Sequence, residues 1–275
     1  MVREFLDNRF SPAAVFCLFA YFFADLPVKV YNFGIHGFDY LTQVVSDAIL
    51  LYSLNSNGGK MRIYIETLVL YFVLFFSGST GFFTIASEPG SFSITAELVR
   101  LFVYTIPSLV LIWYLLYRSW VRKTWNIRPG KKDLTPCLIS LAGLLITGFL
   151  IAFVSSGIDA NAAQVQLKLP STTAGWVVLC ISCISAAYLE ESFFRFYILS
   201  RRDEMRLNAA SALIVSVALF SICHIYEGPW GFLNSVLSGA LLSFIFLRYN
   251  SLHGIAAAHS LYNIAVYAIN AVLIK

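Results

Sequence analysis

Residues 173–199 read TAGWVVLCISCISAAYLEESFFRFYIL. A helix rises about 1.5 Å per residue, so about 20 predominantly apolar residues cross a hydrocarbon core about 30 Å thick, and this run is long enough to do so. Set into its second half are Glu190, Glu191 and Arg195. At the roughly 2.5–3.5 kcal/mol that insertion scales assign to a charged residue in mid-membrane, the three would together cost about 7–10 kcal/mol unless something offsets them. Glu191 and Arg195 are four residues apart and share a helix face, so they can pair. Glu190 lies about 100° round the helix and is left over. Two explanations fit: a solvated patch at the membrane edge close to Arg201 and Arg202, or a working site facing the interior of a helix bundle.

The rest of the chain makes the membrane reading general. Of its 275 residues, 59% are apolar and only 12% are charged, with a mean hydropathy of +0.74. Soluble domains carry about twice that charged fraction, so this chain has too little polar surface to cover itself in water. The same figures exclude disorder, collagen-like repeats and a disulfide-stapled secreted scaffold. The expected fold class is all-α, a polytopic transmembrane helix bundle of about 8–9 spanning helices. Candidate spans are 10–26, 38–54, 63–86, 98–117, 134–154, 173–199, 207–225, 231–247 and 253–274. The first two are the weakest, since Asp25 and Pro27 close one and Asp39 and Asp47 interrupt the other. No A-x-A cleavage site follows the first, which is therefore read as mature chain and not as a signal peptide.

Charge sets the orientation. With the N-terminus inside, fourteen Lys and Arg fall in cytoplasmic segments and three on the opposite side, which supports N-in and C-out. The basic stretch from Arg118 to Lys132, with Pro129 and Gly130, is the best linker. The expected organisation is residues 1–120 as N-terminal transmembrane helices of unassigned role, 121–133 as a basic cytoplasmic linker and 134–275 as the core that carries the chemistry. The five cysteines all lie in apolar runs and read as packing residues. Gly231, Ser235, Gly239 and Ser243 form a small-x-x-x-small stripe that lets a neighbouring helix approach closely.

Two later spans add polar groups that membrane burial does not explain. The seventh ends in Phe220-Ser221-Ile222-Cys223-His224, and the ninth carries His259-Ser260-Leu261-Tyr262-Asn263, which places His259 and Asn263 on one face. A lone histidine in such a helix is most often an interhelical hydrogen-bonder. The ordered set says more. Glu190-Glu191-x-x-x-Arg195, Phe220-x-x-x-His224 and His259-x-x-x-Asn263 resemble the EExxxR, FxxxH and HxxxN motifs of the CAAX protease and bacteriocin-processing family (CPBP, Abi) of intramembrane glutamic endopeptidases. The resemblance covers approximately residues 134–270. It implies a hydrolase in which Glu190 and His224 activate water and the His259–Asn263 pair serves the oxyanion. Arg195 would hold Glu191 ionised and fix its rotamer.

Residue chemistry is compatible with that scheme, because peptide hydrolysis needs an activated water, an oxyanion donor and a proton for the leaving amine. The expected partners are a peptide or protein substrate at the membrane and the lipid bilayer, with no nucleic acid. No cofactor and no metal are expected, and the expected location is a prokaryotic cytoplasmic membrane. The alternatives are a zinc-dependent intramembrane protease, which lacks an H-E-x-x-H here, and a non-enzymatic transporter or peptide-binding immunity protein. One geometric difficulty stands: straight sixth and seventh spans would leave Glu190 towards the inner half and His224 near the outer end. Bringing them together requires tilt, a sixth span that overruns the membrane, or an offset seventh.

Overall fold

The computed structural model describes residues 59–76, 92–118, 128–158 and 167–273. Every regular element among them is helical. Helix α1 is Gly59–Tyr71 and runs on into a π-helical stretch, Phe72–Phe76. Helix α2, Ile94–Val99, a π-helical stretch Arg100–Thr105, and α3, Ile106–Arg118, follow one another without a break. A 3-10 turn, Lys131–Asp133, leads into α4, Leu134–Ile158. Helix α5, Thr173–Glu190, continues through the π-helical stretch Glu191–Tyr197 into α6, Ile198–Ser200. Then come α7, Ala209–Ile222, a 3-10 turn Ile225–Glu227, α8, Gly228–Tyr249, and α9, Leu252–Leu273.

Five helical runs are long and apolar enough to cross a membrane: Ile94–Leu116, Lys131–Ile158, Thr173–Ser200, Ile225–Tyr249 and Leu252–Val272. Two shorter apolar helices, Ile63–Phe75 and Ala209–Ile222, accompany them. The expected spans at 10–26 and 38–54 lie outside the described residues, so the all-helical membrane class holds while the count of eight to nine stays an expectation. Side chains on the outside of these helices are large and apolar, as with Phe149, Phe153, Ile158 and Phe244. Such a surface is costly in water and ordinary against lipid.

Local chemistry sets the helix ends. Thr172 caps α5 by accepting from the Gly175 amide at 3.1 Å, and Asn208 caps α7 by accepting from the Ser211 amide at 2.8 Å. Asn250, in the left-handed conformation, closes α8. Asp133 accepts from the Gly130 amide at 2.7 Å and from the Ser251 hydroxyl, which ties the start of α4 to the turn between α8 and α9.

The chain divides into two compact units. Of the described residues, α1 and Phe72 belong with Glu204–Leu207 to the first, where the Tyr64 hydroxyl donates to the Met205 carbonyl. The second holds α2 to α9. Within it α9 lies against α4 and α5, and α8 lies against α4 and α7. Helices α2 and α3, which precede the basic linker, are thus in the same unit as the three motif-bearing helices.

Helix lengths remove the depth difficulty. The run Thr173–Ser200 has 28 residues, about 42 Å of helix at 1.5 Å per residue, and overruns a core about 30 Å thick. Helix α7 has only 14 residues and ends at Ile222, about 21 Å after it starts. The long run Thr173–Ser200 and the short α7 let Glu190 and His224 share one region of the bundle.

Candidate active site

The Glu190–Arg195 motif stands where α5 changes into its π-helical stretch. π-Helical turns are rare and collect at functional sites. All seven residues of this one are buried. The pair foreseen from the four-residue spacing is present: Arg195 Nη1 donates to Glu191 Oε1 at 3.0 Å, and both side chains are fully buried. Each ion gives up several kcal/mol of hydration in such a place, so mutual attraction alone is a thin compensation and further contacts are needed.

Helices α7, α8 and α9 supply them. His259 Nδ1 lies 2.8 Å from Glu191 Oε1. A second arginine nitrogen, Nη2, donates to the Gly239 carbonyl at 3.4 Å. The guanidinium carbon sits 4.2 Å from the centroid of the Phe220 ring. Gly239 makes this possible, because a Cβ there would come within 3.0 Å of the Phe220 ring and 3.5 Å of Arg195 Nη2. The small-residue stripe on α8 therefore does pack closely, and at Gly239 what it admits is the buried cation. Glu191 Oε2 and Arg195 Nε have no hydrogen-bond partner among the described residues.

Glu190 differs from its neighbour. Its carboxylate is 22% exposed, and its Oε2 is 3.8 Å from His259 Nε2, beyond hydrogen-bond range. His259 therefore stands between the two glutamates, bonded to one and facing the other. If Glu191 is ionised its oxygen can only accept, so Nδ1 of His259 carries a proton. Donation from Nε2 as well requires the imidazolium form, whose charge balances the second carboxylate.

His224 follows the end of α7 and is half-buried. Its Nδ1 lies 2.9 Å from the Phe220 carbonyl. A carbonyl only accepts, so Nδ1 bears the hydrogen and Nε2 of the neutral ring keeps a lone pair. The His224 ring lies against Phe220 at 4.6 Å between centroids, and Phe220 meets His259 edge-on at 6.3 Å. His224 thus joins the cluster through Phe220 and not by direct contact with either glutamate. Asn263 stands one helical turn beyond His259 on α9, half-buried, and its side chain makes no hydrogen bond among the described residues.

Two neighbours, Tyr226 and Tyr104, escaped sequence reasoning, and a third, Phe220, was read there as part of a motif without a role of its own. Phe220 is the shared platform for Arg195, His224 and His259, and its position four residues before His224 was the available signal. Tyr226, two residues after His224, stacks on that ring at 6.5 Å and lies within electrostatic reach of Glu190. Tyr104, from the π-helical stretch between α2 and α3, reaches Glu190 in the same way and donates its hydroxyl to the Leu74 carbonyl. Nothing in the sequence linked so distant a tyrosine to the site.

The assembled groups are a locked ion pair, a partly exposed carboxylate, a histidine with a free lone pair, and an unengaged amide. Together they can deprotonate a water, hold a developing oxyanion and return a proton. No curated protein and no solved structure matches the chain. Residues 171–265, the stretch that contains all three motifs, match the family model Rce1-like, described as type II CAAX prenyl endopeptidase Rce1-like, which agrees with the resemblance drawn from Glu190 to Arg195, Phe220 to His224 and His259 to Asn263.

Proposed function

We propose that the protein is an intramembrane endopeptidase that cleaves a membrane-associated peptide or protein with a glutamate-activated water and without a metal. The observation that carries this reading is the unequal fate of two adjacent carboxylates. Glu191 is fully buried and engaged by Arg195 and His259, whereas Glu190 keeps 22% of its side chain exposed and makes no hydrogen bond among the described residues. Only Glu190 is left to meet water. In the proposed reaction Glu190 takes a proton from that water, and the resulting hydroxide attacks the scissile carbonyl. Asn263 and the Nε2–H of a protonated His259 donate to the oxyanion. His224, through Nε2, holds the water and relays the proton to the leaving amine. Arg195 keeps Glu191 in place, and Glu191 in turn orients His259.

Donor chemistry supports the metal-free reading. Glu191 Oε1 already accepts from Arg195 and His259, and a guanidinium beside that carboxylate opposes a second cation. The matched family points to prenylated C-terminal substrates, and we carry that over only as one candidate class. The purified full-length chain in detergent should cut some members of a panel of prenylated and unprenylated membrane peptides, with new termini mapped by mass spectrometry. A transporter or an immunity protein would leave every peptide intact.

A further inference from the structure

Asn263 makes no side-chain hydrogen bond among the described residues, so its aim depends on how α9 is turned. His259 fixes α9 at one point, through its 2.8 Å bond to Glu191 on the π-helical stretch. A helix held at one point can still rotate and tilt about it. A second point of attachment stands at Tyr262, three residues after His259 and immediately before Asn263.

Tyr262 is held from two other helices. Asn234 of α8 shares a side-chain hydrogen bond with it. Asn234 Oδ1 is buried and has no hydrogen-bond partner among the described residues, so the amide nitrogen is the donor and Tyr262 Oη the acceptor. The same hydroxyl lies against α4 at Gly148, where a Cβ would come within 2.5 Å of Tyr262 Oη and 3.2 Å of two ring carbons. A side chain at 148 would have to push the phenol aside. Five residues earlier on α4, a Cβ on Gly143 would meet Leu241 of α8 at 2.6 Å. Helix α4 thus leaves room twice, once for each of the two helices that the Asn234–Tyr262 bond joins. Among apolar spans an amide and a phenol have little water to turn to, which favours their pairing across helices. The outcome is a clasp of three helices, one residue away from Asn263.

We propose that Tyr262, clasped by Asn234 and seated on Gly148, is a positioning residue that fixes the rotation of α9 and so aims Asn263 at the oxyanion. The oxyanion part rests on the endopeptidase reading. The clasp can be followed without any cleavage.

Two variants reach Asn263 through Tyr262 from other helices: Asn234→Leu removes the donor, and Gly148→Ala displaces the phenol. Each is made in the wild-type chain and in Tyr262→Phe, where no hydroxyl remains to bond or to displace. The full-length proteins in detergent carry 15N-labelled asparagine and histidine. The side-chain amide signal of Asn263 is identified by its loss in Asn263→Ala, and the ring signals of His224 by their loss in His224→Ala. Asn234→Leu and Gly148→Ala should each shift the Asn263 signal in the wild-type background, leave it unmoved in the Tyr262→Phe background, and leave His224 in place in both. An Asn263 signal that stays put, shifts of equal size in both backgrounds, or an equal disturbance of His224 overturns the proposal, since each describes packing without direction. If one of the two variants does not fold, the other decides by the same comparison. Cleavage is measured alongside. The wild-type background should lose about 10- to 100-fold in kcat with KM little changed, the pattern of a misplaced group that acts in the transition state. A kcat within about twofold of wild type in the folded variants overturns the positioning role and leaves the endopeptidase standing. If wild type cuts no peptide, the endopeptidase reading falls, and the amide signals alone decide whether Tyr262 sets the place of Asn263.

Discussion

The guanidinium of Arg195 rests on the face of Phe220, 4.2 Å from the ring centroid, inside a fully buried setting. A desolvated cation over an aromatic face gains about 2 kcal/mol. Phe220→Leu keeps most of the volume and removes the π face. It should therefore lower stability by about that amount in wild type, but by much less in an Arg195→Met background. Chemical denaturation of the four proteins in a mixed detergent system measures the coupling. Equal losses in both backgrounds would show that Phe220 acts through packing alone.

Glu191 and Arg195 should behave as one unit. Removing either partner leaves a buried charge uncompensated, at a cost of about 3–5 kcal/mol. Glu191→Gln and Arg195→Met should each lower the melting temperature and the activity. The double variant should regain stability and stay inactive, because a neutral pair no longer orients His259. Additive losses, with coupling below about 0.5 kcal/mol, would mean that the pair seen at 3.0 Å does not operate in the membrane.

Among the described residues the His224 side chain makes one hydrogen bond, to the Phe220 carbonyl of α7, and is half-buried. Truncation should thus affect chemistry more than folding. His224→Ala is expected to reduce turnover by about 100-fold or more, the usual contribution of a positioned acid or base, with little change in melting temperature. Activity within a few-fold of wild type would remove His224 from the reaction, and loss of folded protein would make it structural.

Cleavage should persist after exhaustive treatment with 1,10-phenanthroline. Loss of activity that added zinc restores would favour a metalloprotease that uses some of the same side chains.

Much of this arrangement is legible in the sequence because helical periodicity carries it. The spacing of Glu191 and Arg195 foretold their pairing, and the apolar runs from 173 onward foretold the helices that bring the three motifs together. What depends on tertiary contact was not legible. The π-helical stretch Glu191–Tyr197 arises where seven consecutive residues are buried on all sides, which no local preference encodes. Spacing alone grouped His259 with Asn263, whereas packing bonds His259 to Glu191 and leaves Asn263 unengaged. The seventh span looked continuous from 207 to 225 by hydropathy. The structure stops α7 at Ile222, since the chain must turn through Cys223 and His224 to reach the 3-10 turn before Gly228. Gly228 has φ +80°, which a side chain would strain, and its place just after that turn was the one local hint of the break.

The central claim is that Glu190 is the base that activates water, and a single comparison tests it. Single-turnover cleavage of a peptide found to be a substrate is followed for wild type and Glu190→Gln at equal amounts of folded protein, with melting temperatures measured alongside. Glutamine keeps the shape and loses the base, so the account predicts a rate at least about 100-fold lower with a melting temperature close to wild type. A Glu190→Gln protein that cleaves within about tenfold of wild type would contradict it.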